Sequence, residues 1–204
     1  MGTKVQEWRL ELARQIERQA FPVEKFGHQP RLYALTKQVG AGREYDDDVV
    51  YAAAFTHDLG VFLGHRPEDR ELLVKWDMIA YAVKKVPAML REVGFPESKI
   101  DAVIECIKTH QPNFSPKSLE ATILRDADIL EQLGAVGILR TVCKVGRDTR
   151  FDTFTAAVRS LQTVVDGLPS MIELPTAKAL AEPRVETLRA WLAAVTSEAG
   201  SLLL

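Results

Sequence analysis

From Trp8 onward, apolar residues return every three or four positions, and nowhere does the chain hold a sustained Val, Ile or Thr alternation between hairpin turns. Spacing by three and four stacks side chains on one face of a helix, whereas a strand requires a period of two. The chain is therefore expected to be all-α, a single helical bundle. Trp8, Leu12 and Ile16 mark one face of a first helix over about 4–20, which stops before Pro22. A second helix over about 29–39, opened by His28, ends at Gly40-Ala41-Gly42. A third starts at Asp46-Asp47-Asp48, whose charge suits a helix N-terminus, and carries His57 and Asp58 near its end at Gly60. Further helices are predicted at about 68–93 with a break near Pro87, then 97–110, 118–133, 135–145, 151–166 and 176–197. Pro112, Pro116, Pro169 and Pro175 mark the loops between them.

A chain of 204 residues that is 47% hydrophobic can bury a full core. The expected organisation is an N-terminal helix (1–20) packing on a helical core (21–150), with 151–204 as a helical extension of the same domain. A net charge of -2 argues against an extended nucleic-acid surface, yet leaves room for a local basic pocket that takes a small anion. Cys106 and Cys143 have no metal-ligand spacing and read as free thiols of a reducing, cytoplasmic protein. No apolar run approaches the ~20 residues of a membrane span, so no membrane partner is expected. Arg140, Lys144 and Arg147 lie at helical spacing, as a solvated face or as a rim that attracts an anionic substrate. Trp76 and Tyr81 read as core or interface residues. Leu180, Val185, Leu188, Trp191, Leu192 and Val195 should pack on the bundle or form a homodimer.

The chemistry concentrates at His57-Asp58, which interrupts the apolar stretch Tyr51-Ala52-Ala53-Ala54-Phe55-Thr56. A carboxylate taken out of water without a partner costs several kcal/mol, roughly, and a divalent cation would compensate it. Consecutive helical residues diverge by ~100°, so the pair can converge on one ion only where a helix ends. With His28 upstream and Asp128 downstream the order is His, His-Asp, Asp. Two nitrogens and two carboxylates could hold one metal and leave positions for water. Alone, His28 would read as a capping or surface group. Of Asp126 and Asp128, two residues apart and so on different faces, Asp128 is chosen. Arg125, three residues before it, could be a salt-bridge partner or a phosphate ligand.

His28 with Arg31, the run Ala53-Ala54-Phe55-Thr56-His57-Asp58-Leu59-Gly60, then Ile107-Lys108-Thr109-His110, then Asp126-Ala127-Asp128-Ile129-Leu130 followed by Gly134-Ala135 and Arg140 resemble the HD-domain metal-dependent phosphohydrolase superfamily, in particular its small stand-alone bacterial members. The resemblance covers about residues 20–145. It implies a helical bundle of the HD type in which His28, His57, Asp58 and Asp128 bind one divalent ion (Mn, Mg, Co, Ni, Fe or Zn), with His110 at the same pocket. The activity implied is hydrolysis of a phosphoester or phosphoanhydride by a metal-activated water, with a phosphorylated small molecule, a nucleotide, as substrate. Asp58 or Asp128 would orient the water, His110 would serve the leaving oxygen, and Arg31, Lys108 and Arg125 would stabilise phosphate charge.

Departures from subfamily patterns narrow this. Between the HD pair and the final aspartate the chain has only His65 and His110, which favours one metal over two. Leu59-Gly60-Val61-Phe62-Leu63 holds no acid directly after the pair, which weakens the alarmone-hydrolase and deoxynucleoside-monophosphatase activities of this superfamily. No GYP tripeptide accompanies it, which counts against a cyclic-di-GMP phosphodiesterase. Two alternatives stand beside the hydrolase: an inactive HD module that binds a nucleotide or partner, and a di-iron oxygenase that would use His65 and His110 as ligands of a second metal.

Overall fold

The computed structural model describes residues 2–22, 25–146 and 151–200, the side chains of 2–6 and of Arg70 apart. The described residues contain ten α-helices, α1 (Gly2–Gln19), α2 (His28–Val39), α3 (Asp47–Thr56), α4 (Arg70–Val74), α5 (Met78–Glu92), α6 (Ile100–Thr109), α7 (Leu119–Glu131), α8 (Gly134–Val142), α9 (Phe154–Gly167) and α10 (Pro175–Ala199), and no strand. They fall into two compact units, 1–125 and 126–204.

In the first unit α3 is the central element. Every residue from Val49 to Thr56 is buried, as expected of a helix that is apolar all round. α1, α2 and α6 pack against it. Trp8, Leu12 and Ile16 of α1 are buried as the periodicity predicts, and Trp8 meets Tyr51 and Phe95 edge to face.

The acidic start of α3 does more than cap it. Asp46 accepts from the amides of Asp48 and Val49, whereas Asp47 and Asp48 converge on Arg9 at 3.0 and 2.6 Å. Tyr33 donates to Asp47, and Lys37 and Lys99 pair with the same cluster. Burial alone would raise the Asp48 carboxyl; hydrogen bonds from Arg9 and Lys99 outweigh it and hold the group below its ordinary value. Asp47 is held down in the same way, against burial, by Lys37, Tyr33 and Arg9. The Arg9 guanidinium also lies over the Tyr51 ring, 4.7 Å from its centroid.

Two helix boundaries differ from expectation. α3 ends at Thr56 rather than at Gly60, with His57 as its C-cap. Between 68 and 93 the break is not at Pro87, which lies inside continuous α5, but at 75–77. There Asp77 is extended and its carboxylate caps Ala80 at 2.8 Å. A helix-interior proline costs about 3 kcal/mol, which the burial of Ala82, Val86 and Leu90 on the same helix offsets.

In the second unit α8, α9 and α10 pack on one another. Pro175 opens α10 rather than marking a loop. Leu188 and Leu192 are buried, and Leu180, Val185, Trp191 and Val195 partly so. Arg140, read from sequence as part of a basic stripe, is tied to Glu131 at 3.2 Å; Arg147 lies outside the described residues. Both cysteines are free. Burial pushes the Cys106 thiol far up, which makes it unreactive. No described helix is long and apolar enough to cross a membrane.

Candidate metal centre

His57 caps the C-terminus of α3 in helical conformation, and Asp58 then leaves the helix at φ -94°, ψ 14°. This change of backbone turns two consecutive side chains inward together. The His57 Nδ1 lies 3.1 Å from the Ala54 carbonyl, which can only accept, so the proton sits on Nδ1 and the lone pair on Nε2. A backbone carbonyl that fixes the tautomer of a histidine is the usual support behind a metal ligand.

That Nε2 faces the His28 Nε2 at 3.3 Å. His28 opens α2, but it neither caps the helix nor reaches solvent: it is buried, and Gly27 stands at the cap position. The Asp58 Oδ2 completes a triangle, 3.7 Å from the His28 Nε2 and 3.6 Å from the His57 Nε2. A point equidistant from three atoms so spaced lies about 2.1 Å from each, which is the bond length of a divalent ion to imidazole nitrogen and carboxylate oxygen. The three residues form the metal-capable group found among the described residues. Asp58 keeps 22% of its side chain exposed while His57 is 1% exposed, so the carboxylate is the solvent-facing member.

His110 ends α6 and is buried. Its ring meets that of His57 edge to face with centroids 5.0 Å apart, and its Nδ1 lies 2.7 Å from the Ile107 carbonyl. The proton is again fixed on Nδ1, so the lone pair of the ring is on Nε2. Arg31 is exposed on α2 one turn after His28, and Lys108 is exposed near the end of α6. Arg125 is buried and donates through Nη1 to the Phe114 carbonyl at 2.9 Å, which anchors the loop after His110.

The two aspartates of α7 have different surroundings, and neither belongs to the metal-capable group of His28, His57 and Asp58. Asp126 is buried and accepts from the amides of Glu173 and Leu174, so it holds the entry to α10. Asp128 is partly exposed, and its Oδ2 accepts from Gln132. His65 is not a member of the metal-capable group; its Nδ1 lies 2.8 Å from the Tyr81 hydroxyl.

Sequence reading missed one tether of this region. Trp76 donates its indole N–H to the Gly60 carbonyl at 2.8 Å, and a Cβ on Gly60 would stand 2.6 Å from the Met78 carbonyl oxygen. The start of α5 thus presses on the turn 59–61 directly after the HD pair, and only glycine fits. A glycine two residues after Asp58 was the available signal.

The HD domain matches residues 23–133 of this chain. Three solved structures are similar over nearly the whole of both chains. The crystal structure of Bacillus subtilis YpgQ in complex with ADP has a TM-score of 0.74 at 22% identity, over 98% of this chain and 99% of that one. A further crystal structure of YpgQ gives 0.71 at 26%, over 95% and 98%. An HD-superfamily hydrolase from Bacillus thuringiensis gives 0.67 at 18%, over 97% of each chain. No curated protein matches the sequence.

Proposed function

Since the chain belongs to the HD-domain family, we propose that it is a metal-dependent phosphohydrolase acting on nucleotides. The observation that carries this reading is the convergence of the His28 Nε2, His57 Nε2 and Asp58 Oδ2 at separations of 3.3 to 3.7 Å. Neutral imidazoles and a carboxylate at that spacing suit one divalent cation, and the order of the family's motifs assigns Asp128 as its fourth ligand. The ADP complex of the similar YpgQ supports a nucleotide as the ligand class.

A divalent ion bound there supplies Lewis-acid activation of water and of a phosphoryl oxygen. Asp58, the solvent-facing member of the group, orients the attacking water. His110 holds one proton on Nδ1 against Ile107 and uses Nε2 toward the leaving oxygen. Arg31 and Lys108, both exposed, take phosphate charge. Arg125 contributes less directly, because it spends a guanidinium nitrogen on Phe114 to hold the loop after His110. One ion suffices for this chemistry, and the engagement of His65 by Tyr81 supports one over two.

The test is to strip the protein with chelator, restore single divalent metals, and separate the products from nucleoside mono-, di- and triphosphates. Metal-dependent release of phosphate or pyrophosphate that vanishes in Asp58→Ala is the expected result. Stoichiometric metal uptake with no turnover on any nucleotide would overturn the reading.

A further inference from the structure

Between α6 and α7 the chain runs from His110, whose ring meets that of His57, through Gln111-Pro112-Asn113-Phe114-Ser115-Pro116-Lys117 to Ser118. A connection of this length ordinarily lies on the surface with few ties. Here a charged side chain from each flanking helix fastens it. Glu105 of α6 is partly buried; its Oε1 accepts from the Lys117 amide at 3.1 Å and its Oε2 from the Ser118 hydroxyl at 3.0 Å. The Ser118 oxygen in turn accepts from the Ala121 amide, so the Glu105 carboxylate also fixes the start of α7. From α7, buried Arg125 reaches back to the Phe114 carbonyl at 2.9 Å.

A third bond, from the Phe114 amide to the Gln111 carbonyl at 3.0 Å, closes a turn directly after His110. That turn keeps the Cα of Phe114 within about 11 Å of that of His110. The backbone of Phe114 is thus tied at its N–H and at its carbonyl, while its side chain is left 46% exposed. Two clamps spent on presenting an apolar ring to water, one turn beyond a histidine that touches the metal group, suit a planar partner that covers the ring. The base of a nucleotide whose phosphate lies at the metal group extends over a comparable span.

We propose that Phe114 takes the base of the substrate by stacking, with Glu105 and Arg125 as positioning residues that hold the loop beside His110. The proposal rests on the nucleotide reading above and names what recognises the end of the substrate remote from the metal. Stacking uses the π-face that every base carries, so it admits all bases and favours the larger purines. A ring whose backbone is already held loses little freedom when the base arrives.

The experiment titrates α,β-methylene-ADP, and methylenediphosphonate as the same tail without the base, into the metal-loaded full chain by calorimetry. Phe114→Ala should weaken the nucleotide analogue about tenfold or more and leave methylenediphosphonate within about twofold, with unchanged circular dichroism, while Phe114→Trp keeps the parent affinity. Glu105→Ala should move the nucleotide analogue in the same direction, and Glu105→Gln, which keeps an acceptor oxygen, should restore it. Phe21→Ala removes another exposed ring of the first unit and should change neither ligand. Equal weakening of both ligands by Phe114→Ala, a nucleotide affinity within about twofold of the parent, or no measurable binding of the analogue by the parent overturns the platform. Turnover of nucleotides by the parent is read separately. Turnover with an affinity that ignores Phe114 overturns the platform alone, and a Phe114-dependent affinity without turnover sustains the platform and overturns only the activity.

Discussion

The His28 Nε2 and His57 Nε2 stand 3.3 Å apart across 29 positions of sequence. With the proton of His57 held at Ala54, its Nε2 lone pair points at a second imidazole nitrogen beside a carboxylate. A cation satisfies all three at once. Replacing His57 with Ala, or Asp58 with Ala, should lower metal affinity by at least about 100-fold, because even the support behind a ligand is worth 10–100-fold. Metal content after gel filtration, read by elemental analysis, checks this, and retention of one ion per chain in both variants would count against the site. Asp128→Ala should show the same loss if it is the fourth ligand.

Metal should also stabilise the fold. A ligand that binds only the native state at about 100 times its Kd adds about 2.7 kcal/mol. For a chain of this size the melting point should rise by roughly 5–10 °C on saturation and fall back on chelation. His57→Ala should abolish the metal-dependent increment.

Arg9 is the hub between α1 and the start of α3. Arg9→Met should destabilise the protein by about 2–3 kcal/mol, since it leaves Asp48 partly buried without its strongest partner and removes one of the three that hold Asp47. Urea denaturation measures the loss. Adding Asp48→Asn to Arg9→Met should cost less than the sum of the single changes, and strict additivity would rule out the coupling.

Acid should act through the same cluster. Asp47 and Asp48 have folded-state acidities held below the ordinary carboxyl value of 3.8, so their stabilisation is complete above that value and disappears as pH falls through the lowered ones. Stability measured below about pH 4 should therefore fall less steeply in the Asp48→Asn protein than in the parent. Equal slopes would show that other carboxylates dominate acid unfolding.

Gly60→Ala tests the contact between the HD turn and α5. The added Cβ would stand 2.6 Å from the Met78 carbonyl oxygen, and backbone cannot yield as a side chain does. A loss of about 1–3 kcal/mol is expected, with weaker metal uptake as the turn after Asp58 shifts. Gly42→Ala has open space around it but a left-handed backbone (φ 75°), so it should cost stability without touching metal binding.

Much of the architecture was legible because helices report themselves locally. The three- and four-residue spacing in α1, the apolar run of α3 and the glycine stop after α2 all follow from the geometry of a single turn. Pro87 misled for the same reason: propensity places a break there, but the buried face of Ala82, Val86 and Leu90 outweighs one missing hydrogen bond, and the Asp77 cap decides where α5 begins. The three residues at the cap of α3 read as one acidic helix start. Only packing showed that Asp46 caps while Asp47 and Asp48 serve Arg9, some 40 positions away.

The candidate site divides the same way. Sequence alone determined which side chains could bind metal, since His57-Asp58 in an apolar helix is an expensive pair to bury without a cation. The tertiary structure decided that they converge with His28. Facing Nε2 atoms and a shared Asp58 oxygen depend on where α3 stops and how α2 packs against it. Long-range packing also gave Trp76 and His65 their partners, Gly60 and Tyr81, because such contacts are properties of the folded neighbourhood and have no local signature in the chain.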